Sequence, residues 1–303
     1  MYDKWELGIN MSLSVLLPVY GEANYISEAV ISTLDNIELG DELIILLDRI
    51  SENTKAVVEY FASKDERIVV MNSPEPGISS ALNLGITYSD ADFIARMDAD
   101  DVVINNRFRM QKNFLTSHPE HVLIGSNIEL IDSNGRKIGL KFFPKRSNSI
   151  KRMMFFFNPV AHPSVMIRRI SLLEAGLYKT CTDGYEDYYL WTELINFGKF
   201  ENSRKSFLKY RVHTNQFSSN KTNAISHSHE SFLGILQSQN KSLSKLNNVY
   251  KKIINRKSNL LITLLDFKLI RDYFISLINF PKSSILLLYY YVINAMIAKI
   301  YKY

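Results

Sequence analysis

The sequence predicts an α/β protein, a mostly parallel central sheet with helices on both faces, followed by a basic helical appendage. Three observations predict it. Apolar runs of strand length alternate with helix-period segments through roughly the first hundred residues. The polar residues that follow those runs fall at the carboxyl ends of the strands, on one edge of such a sheet, where ligands of parallel sheets bind. Near residue 204 the chain turns from acidic to basic.

Ser12 to Val19 is an apolar run suited to a strand buried on both faces. It ends in the turn Pro18-Val19-Tyr20-Gly21. Ala23 to Leu34 places Ile26, Ala29, Val30 and Leu34 at helical spacing. Glu42 to Leu47 is a second buried strand, and Ser51 caps a helix expected to reach about Ser63. Arg67 to Met71 is a third strand. The turn Pro74 to Gly77 leads to a helix over Ser79 to Tyr88. Asp92 to Met97 is a fourth strand and runs straight into Asp98-Ala99-Asp100-Asp101. Strand–helix repetition of this kind implies right-handed crossovers and a parallel sheet. Beyond it, Asn106 to Thr116 reads as a helix. Val122 to Ser126 and Ile128 to Asp132 read as two strands, with a hairpin turn at Ser133-Asn134-Gly135. Ser164 to Arg168 is a strand, and Tyr188 to Phe197 a helix closed by Gly198.

The 303 residues are 46% hydrophobic and 22% charged, which excludes a wholly disordered or collagen-like chain. Cys181 is the single cysteine, so a disulfide-stapled secreted scaffold is excluded and a reducing compartment is expected. Met1 to Asn10 is charged and lacks an apolar core, so no signal peptide is expected. The net charge of +5 conceals a split of about −8 up to Ser203 against about +13 from Arg204 onward. The basic part is also rich in Ile, Leu, Phe and Tyr, which points to an anionic membrane surface.

Asp98-Ala99-Asp100-Asp101 is the strongest chemical signal. Three carboxylates in four residues repel one another, and a hard divalent cation relieves that cost. A solvated acidic turn is the alternative. Glu186-Asp187 opens an amphipathic helix. Its acids either complement the helix dipole or stand in a cleft as a general base. His162 and His213 are each as readily structural as functional. His227, His229 and Glu230 lack the spacing of a zinc hydrolase. No G-x-x-x-x-G-K-[ST] or G-x-G occurs, so Walker-type and dinucleotide-binding chemistry are unsupported.

Together these segments resemble the inverting family 2 glycosyltransferases of GT-A fold. Ser14 to Tyr20 is similar to the family's first strand and nucleotide-binding turn, and Asp48 to the acid ending the second strand. Ala81-Leu82-Asn83-Leu84-Gly85 resembles the helix that follows the third. Ala95 to Asp101 resembles the D-x-D segment. Asn158-Pro159 and His162 to Met166 resemble the acceptor-side segment, Glu186 to Trp191 the E-D motif, and Tyr210 to His213 the closing block. The likeness covers about residues 12 to 215 in order. It implies a catalytic domain over 1–215, with a nucleotide-sugar half at about 12–105 and an acceptor half at about 106–215. Arg49 stands where glycine is common, Ser80 where lysine is frequent, and Glu193 where arginine often follows the tryptophan.

The resemblance implies a UDP-sugar donor and Mn²⁺ or Mg²⁺. Pro18, Tyr20, Glu22, Asp48, Asn83, Arg96 and Asp98 would bind the nucleotide, Asp48 at the base and Asp98 at the ribose. Asp100, Asp101 and His213 would lie on the metal side. Asp187 would be the general base and Glu186 its orienting neighbour, with His162 and Trp191 on the acceptor side. The acceptor it implies is a lipid-linked glycan of surface polysaccharide (O-antigen or capsule) synthesis. A sugar nucleotidyltransferase is the enzymatic rival, but it expects a basic glycine-rich loop that Pro18 to Ala23 lacks. A non-catalytic membrane-associated subunit of a glycan assembly is the other rival, and it predicts a lost acid at 100 or 187.

Residues 216–303 read as basic, apolar helices, chiefly Ser258 to Phe280 and Ser283 to Tyr303. The apolar run Ile285 to Ala298 is about 14 residues, short of the roughly 20 needed to span a bilayer. An interfacial hairpin on the inner face of the cell membrane is expected, which makes the protein cytoplasmic and peripheral. Packing on the catalytic domain or a homodimer interface is the alternative. Aromatic residues there sit at helical spacing rather than on a strand platform, so nucleic acid is not an expected partner.

Overall fold

The computed structural model describes residues 11–154 and 158–213. Residues Phe155 to Phe157, the boundary expected at 215 and the helices expected over 216–303 lie outside the described residues.

The first half follows the alternation. β1 (Leu13–Gly21) leads to α1 (Ile26–Leu34), β2 (Glu42–Ile50), α2 (Glu52–Ala62), β3 (Ile68–Asn72), α3 (Ile78–Tyr88) and β4 (Phe93–Arg96). Ser51 caps α2 as expected, its side chain accepting from the Thr54 N–H at 3.1 Å. The second half comprises β5 (Val102–Val103), α4 (Arg107–Ser117), β6 (His121–Ile131), β7 (Lys137–Lys141), α5 (Ser147–Met153), β8 (Met166–Arg168), α6 (Arg169–Glu174), α7 (Glu186–Leu194) and β9 (Lys199–Arg211). Short 3₁₀ turns lie at His162–Ser164 and Thr180–Thr182.

The strands form one sheet in the order β3-β2-β1-β4-β8-β6-β9-β5, with β7 paired to β6. β3, β2, β1 and β4 are mutually parallel. β8 joins both β4 and β6 antiparallel, and β6 and β9 run parallel through a long ladder with three register shifts. The parallel half is therefore as expected, and the second half is mixed.

The core is built chiefly on the parallel half and continues through Phe108, Ile124, Met166 and Leu208 of the second. Leu13, Val15, Leu17, Leu43, Ile45 and Phe93 are at most 1% exposed and pack against Ala29 and Val30 of α1. Burial on this scale contributes about 1.5–3 kcal/mol per large aliphatic side chain. A second, polar tie joins the halves. Arg107 on α4 is fully buried, and its guanidinium donates to the carbonyls of Arg96 and Val165 at 2.8 and 3.1 Å and to the Gln111 side chain at 3.0 Å. Gln111 donates onward to the carbonyls of Ile124 and Ser164. These bonds satisfy backbone groups where β4, β6 and β8 meet, and so hold the segment leading into Asp98.

Three readings of the sequence change. β6 is one continuous strand rather than two, with register shifts near Ser126 and Asn127 taking up the irregularity. β9 was not expected as a strand, because its polar residues mask the alternation. α7 begins at Glu186 and ends at Leu194, so Gly198 does not close it. A Cβ on Gly198 would stand 2.5 Å from Val122 Cγ1 and 2.9 Å from the Glu120 carbonyl, so this glycine serves close packing against β6.

Candidate active site

The carboxyl ends of β1, β2 and β4 converge on one edge. Tyr20 and Asp48 are register partners across β1 and β2, and Arg96 lies beside Leu16 where β4 ends. Sequence position alone places Asp98, Asp100 and Asp101 just beyond that point.

Those three carboxylates form a cluster in which one oxygen from each lies within 4.8 Å of the others. Arg96 is buried and pairs with Asp98. His213 Nε2 lies 2.9 Å from Asp100 Oδ2, and the His213 ring tilts against Tyr25. Asp101 is fully buried. Its Oδ1 accepts the Arg211 N–H at 2.9 Å, while its Oδ2 has no hydrogen-bond partner. Burial, then repulsion from Asp98 and Asp100, pushes the Asp101 carboxyl well above the usual carboxylate range. Asp98 is raised as well, by burial that Arg96 only partly offsets and by the charges of Asp100 and Asp187. A buried, unpartnered carboxylate oxygen beside two further acids suits a hard divalent cation with oxygen ligands. Arg211 braces the cluster. Its Nε donates to the Asp100 carbonyl at 2.8 Å, it pairs with Glu28, and it lies 4.2 Å over the Tyr25 ring.

Asp48 closes the β2 end. Its Oδ1 accepts from Arg49 Nε and its Oδ2 from the Gly77 N–H, both at 2.9 Å. Burial works to raise this carboxyl, but the bonds from Arg49 and Gly77 outweigh it and hold it below the usual range. Gly77 sits at φ +117°, and a Cβ there would meet Asp183 Oδ2 at 2.1 Å. Asp183 in turn accepts the Ser79 N–H at the start of α3. Tyr20 is 65% exposed, Glu22 is exposed just past β1, and Pro18 is half-buried in the strand.

Asp187 stands at the start of α7. Its Oδ2 accepts from Asn158 Nδ2 and its Oδ1 from the Tyr188 N–H, both at 2.6 Å. Glu186 is buried, with Oε2 accepting the Gly184 N–H and Oε1 3.9 Å from His162 Nδ1. The other nitrogen of His162 is 2.8 Å from the Tyr178 hydroxyl. Burial, and then the Arg96 charge, hold this imidazole well below its usual range and therefore neutral. Trp191, expected on the acceptor side, is fully buried and packs edge-on against His162 and Phe200. Asn83, expected at the nucleotide, has its amide engaged at both ends by the backbone of Tyr178, at 2.8 and 2.9 Å.

The structure thus gathers Tyr20, Asp48, Arg96, Asp98, Asp100, Asp101 and His213 at the strand ends. The charge of Asp187 reaches Asp98. Tyr178 and Asp183 were not anticipated. They lie in an irregular segment with no periodic signal, and only the fold brings them to α3.

This sheet, with its acidic carboxyl edge, is of the GT-A type. The chain belongs to the glycosyl transferase family 2, whose model matches residues 14–177. It is 33% identical over 159 residues to the amylovoran biosynthesis glycosyltransferase AmsE of Erwinia amylovora, covering 52% of this chain and 59% of that one. It is 30% identical over 190 residues to UDP-Gal:alpha-D-GlcNAc-diphosphoundecaprenol beta-1,3-galactosyltransferase of Escherichia coli, covering 60% and 67%. The fold is similar to S. aureus TarS 1–349 in complex with UDP-GlcNAc, with a TM-score of 0.56 at 18% identity, covering 69% of this chain and 61% of that one. The chain thus spans less than two thirds of the AmsE and TarS chains it matches.

Proposed function

We propose that this protein is an inverting, metal-dependent glycosyltransferase that moves a sugar from a UDP-sugar to a hydroxyl of a lipid-linked glycan in surface polysaccharide assembly. The observation that carries the reading is the Asp98, Asp100 and Asp101 cluster, which shares one sheet edge with Asp48 and lies within reach of the Asp187 charge. The names of the relatives support it. One is an amylovoran biosynthesis enzyme, and another uses UDP-Gal and a diphosphoundecaprenol-linked acceptor.

Asp48 accepts from the base and Asp98 from the ribose. Asp100 and Asp101, with His213 beside them, would hold Mn²⁺ or Mg²⁺. Held there, such an ion would supply Lewis-acid stabilisation of the charge on the departing diphosphate. Asp187 takes the proton from the acceptor hydroxyl. That oxygen bonds to the anomeric carbon as the bond to the diphosphate breaks on the opposite face, so configuration inverts. General-base help of this kind contributes about 10²–10⁴-fold. Asn158 and the Tyr188 N–H fix the Asp187 carboxylate, and the buried Glu186, held by Gly184, fixes the turn before α7.

Titration of UDP in the presence of Mn²⁺, followed by a transfer assay, tests this. Asp187→Asn is expected to abolish transfer with UDP affinity nearly unchanged, and Asp100→Asn to weaken metal-dependent UDP binding. Near wild-type turnover in Asp187→Asn would overturn the base assignment. Equal metal-dependent affinities in the wild type and Asp100→Asn would overturn the metal assignment.

A further inference from the structure

Arg49 follows Asp48 at a bulge near the end of β2, between Asp48 and Ile50, which pair with Tyr20 and Gly21, and its backbone stands at φ +48°. Side chains other than glycine rarely adopt that conformation, and those that do cluster at functional sites. Its guanidinium grips both oxygens of Asp48, Nε to Oδ1 at 2.9 Å and Nη2 to Oδ2 at 3.3 Å. It also lies 5.0 Å over the ring of the exposed Tyr20. From the other side the Gly77 N–H holds Oδ2 at 2.9 Å. A carboxylate so held cannot swing away, and the guanidinium is planar. The result is an acceptor and a donor fixed side by side against an aromatic ring. Both keep capacity for a ligand. A carboxylate offers about four acceptor sites, of which these contacts use three, and a guanidinium has five N–H donors, of which Asp48 engages two. The Arg49 side chain is 58% exposed.

We propose that Arg49 reads the nucleobase of the donor together with Asp48. The pair selects a base edge that presents a carbonyl oxygen beside a ring N–H. Uracil offers O4 beside N3–H, and guanine offers O6 beside N1–H. Cytosine and adenine present an amino donor beside a ring-nitrogen acceptor. With the ribose held at Asp98 the base keeps one orientation, so the amino group would face the guanidinium and the ring nitrogen the carboxylate, donor against donor and acceptor against acceptor. Asp48 alone discriminates less, since a carboxylate also accepts from an amino group. The inference rests on the reading of Asp48 as the base contact.

The test is calorimetric titration of the full chain with UDP, GDP, CDP, ADP and inorganic pyrophosphate at fixed Mn²⁺. The wild type should bind UDP or GDP at least about tenfold more tightly than CDP and ADP, the scale of one good paired contact. Arg49→Gly suits the positive φ, so the fold is kept while the guanidinium is lost. In that variant the preference for UDP or GDP over CDP should fall about tenfold, with pyrophosphate affinity unchanged. An unchanged preference in Arg49→Gly overturns the role of Arg49 and leaves the donor reading standing. Failure of the wild type to bind any nucleoside diphosphate, with pyrophosphate still bound, overturns the donor reading and this inference with it.

Discussion

Asp101 shows what a single residue can and cannot reveal. Its place in a run of three acids marked it as chemical rather than decorative. Its complete burial, and the one oxygen left without a hydrogen bond, are properties of the fold. His162 is the converse case. In the sequence it was as readily structural as functional. The structure joins it to Tyr178 and sets it beside Glu186, buried and neutral. This has a consequence for stability. The folded imidazole titrates well below its ordinary value of about 6.5, so the unfolded chain takes up a proton first as pH falls. Stability from this residue is fully present above about pH 6.5 and is lost as pH drops below it. His162→Gln should lower stability at pH 7 but flatten its decline between about pH 6.5 and 5, as read from urea unfolding at each pH. An unaltered slope would remove His162 from the titration. Trp191 is fully buried, and an indole looks the same in sequence whether it lines a cleft or packs within the fold.

Elements were legible where periodicity was strong. β1, β2 and β4 are apolar on both faces, so their runs stand out. α1 and α2 bury one stripe each, and Ser51 marks where the second begins. β9 failed this test. Its thirteen residues alternate between buried and exposed only in part, because it lies between β6 and β5 and is bulged along β6. A strand held by neighbours far apart in sequence carries little local signal. Gly198 illustrates the same limit. A glycine near the end of a helical pattern resembles a cap, whereas here it lets the entry to β9 approach Glu120 and Val122. Gly198→Ala should therefore destabilise the fold by about 1–3 kcal/mol, the cost of overpacking. A urea midpoint equal to wild type would show that β6 yields to the added methyl group.

For the whole molecule, the charge split is the feature that composition exposes most clearly. The acidic part supplies the carboxylates of the site, and none of the helices among the described residues is long and apolar enough to cross a membrane. The basic, tyrosine-rich tail is proposed to hold that part at an anionic surface, where the proposed lipid-linked acceptor would reside. The full chain should float with vesicles containing anionic lipid at low salt and release as salt rises, while a chain ending at residue 257 should stay behind. Equal flotation of both would assign the attraction elsewhere. The sequence by itself determined the alternation of the first half, the sheet edge to which its polar residues run, and the acids that carry the proposed chemistry. These follow from short-range periodicity and from spacing within a few residues. Only the tertiary structure decided that β6 pairs with β8 and β9, that Asn83 bonds to the Tyr178 backbone, that Trp191 is buried, and that Tyr178, Asp183 and Arg49 frame the site. Those outcomes depend on contacts between segments up to about a hundred residues apart, and no local pattern encodes which distant backbone group a buried polar side chain will meet.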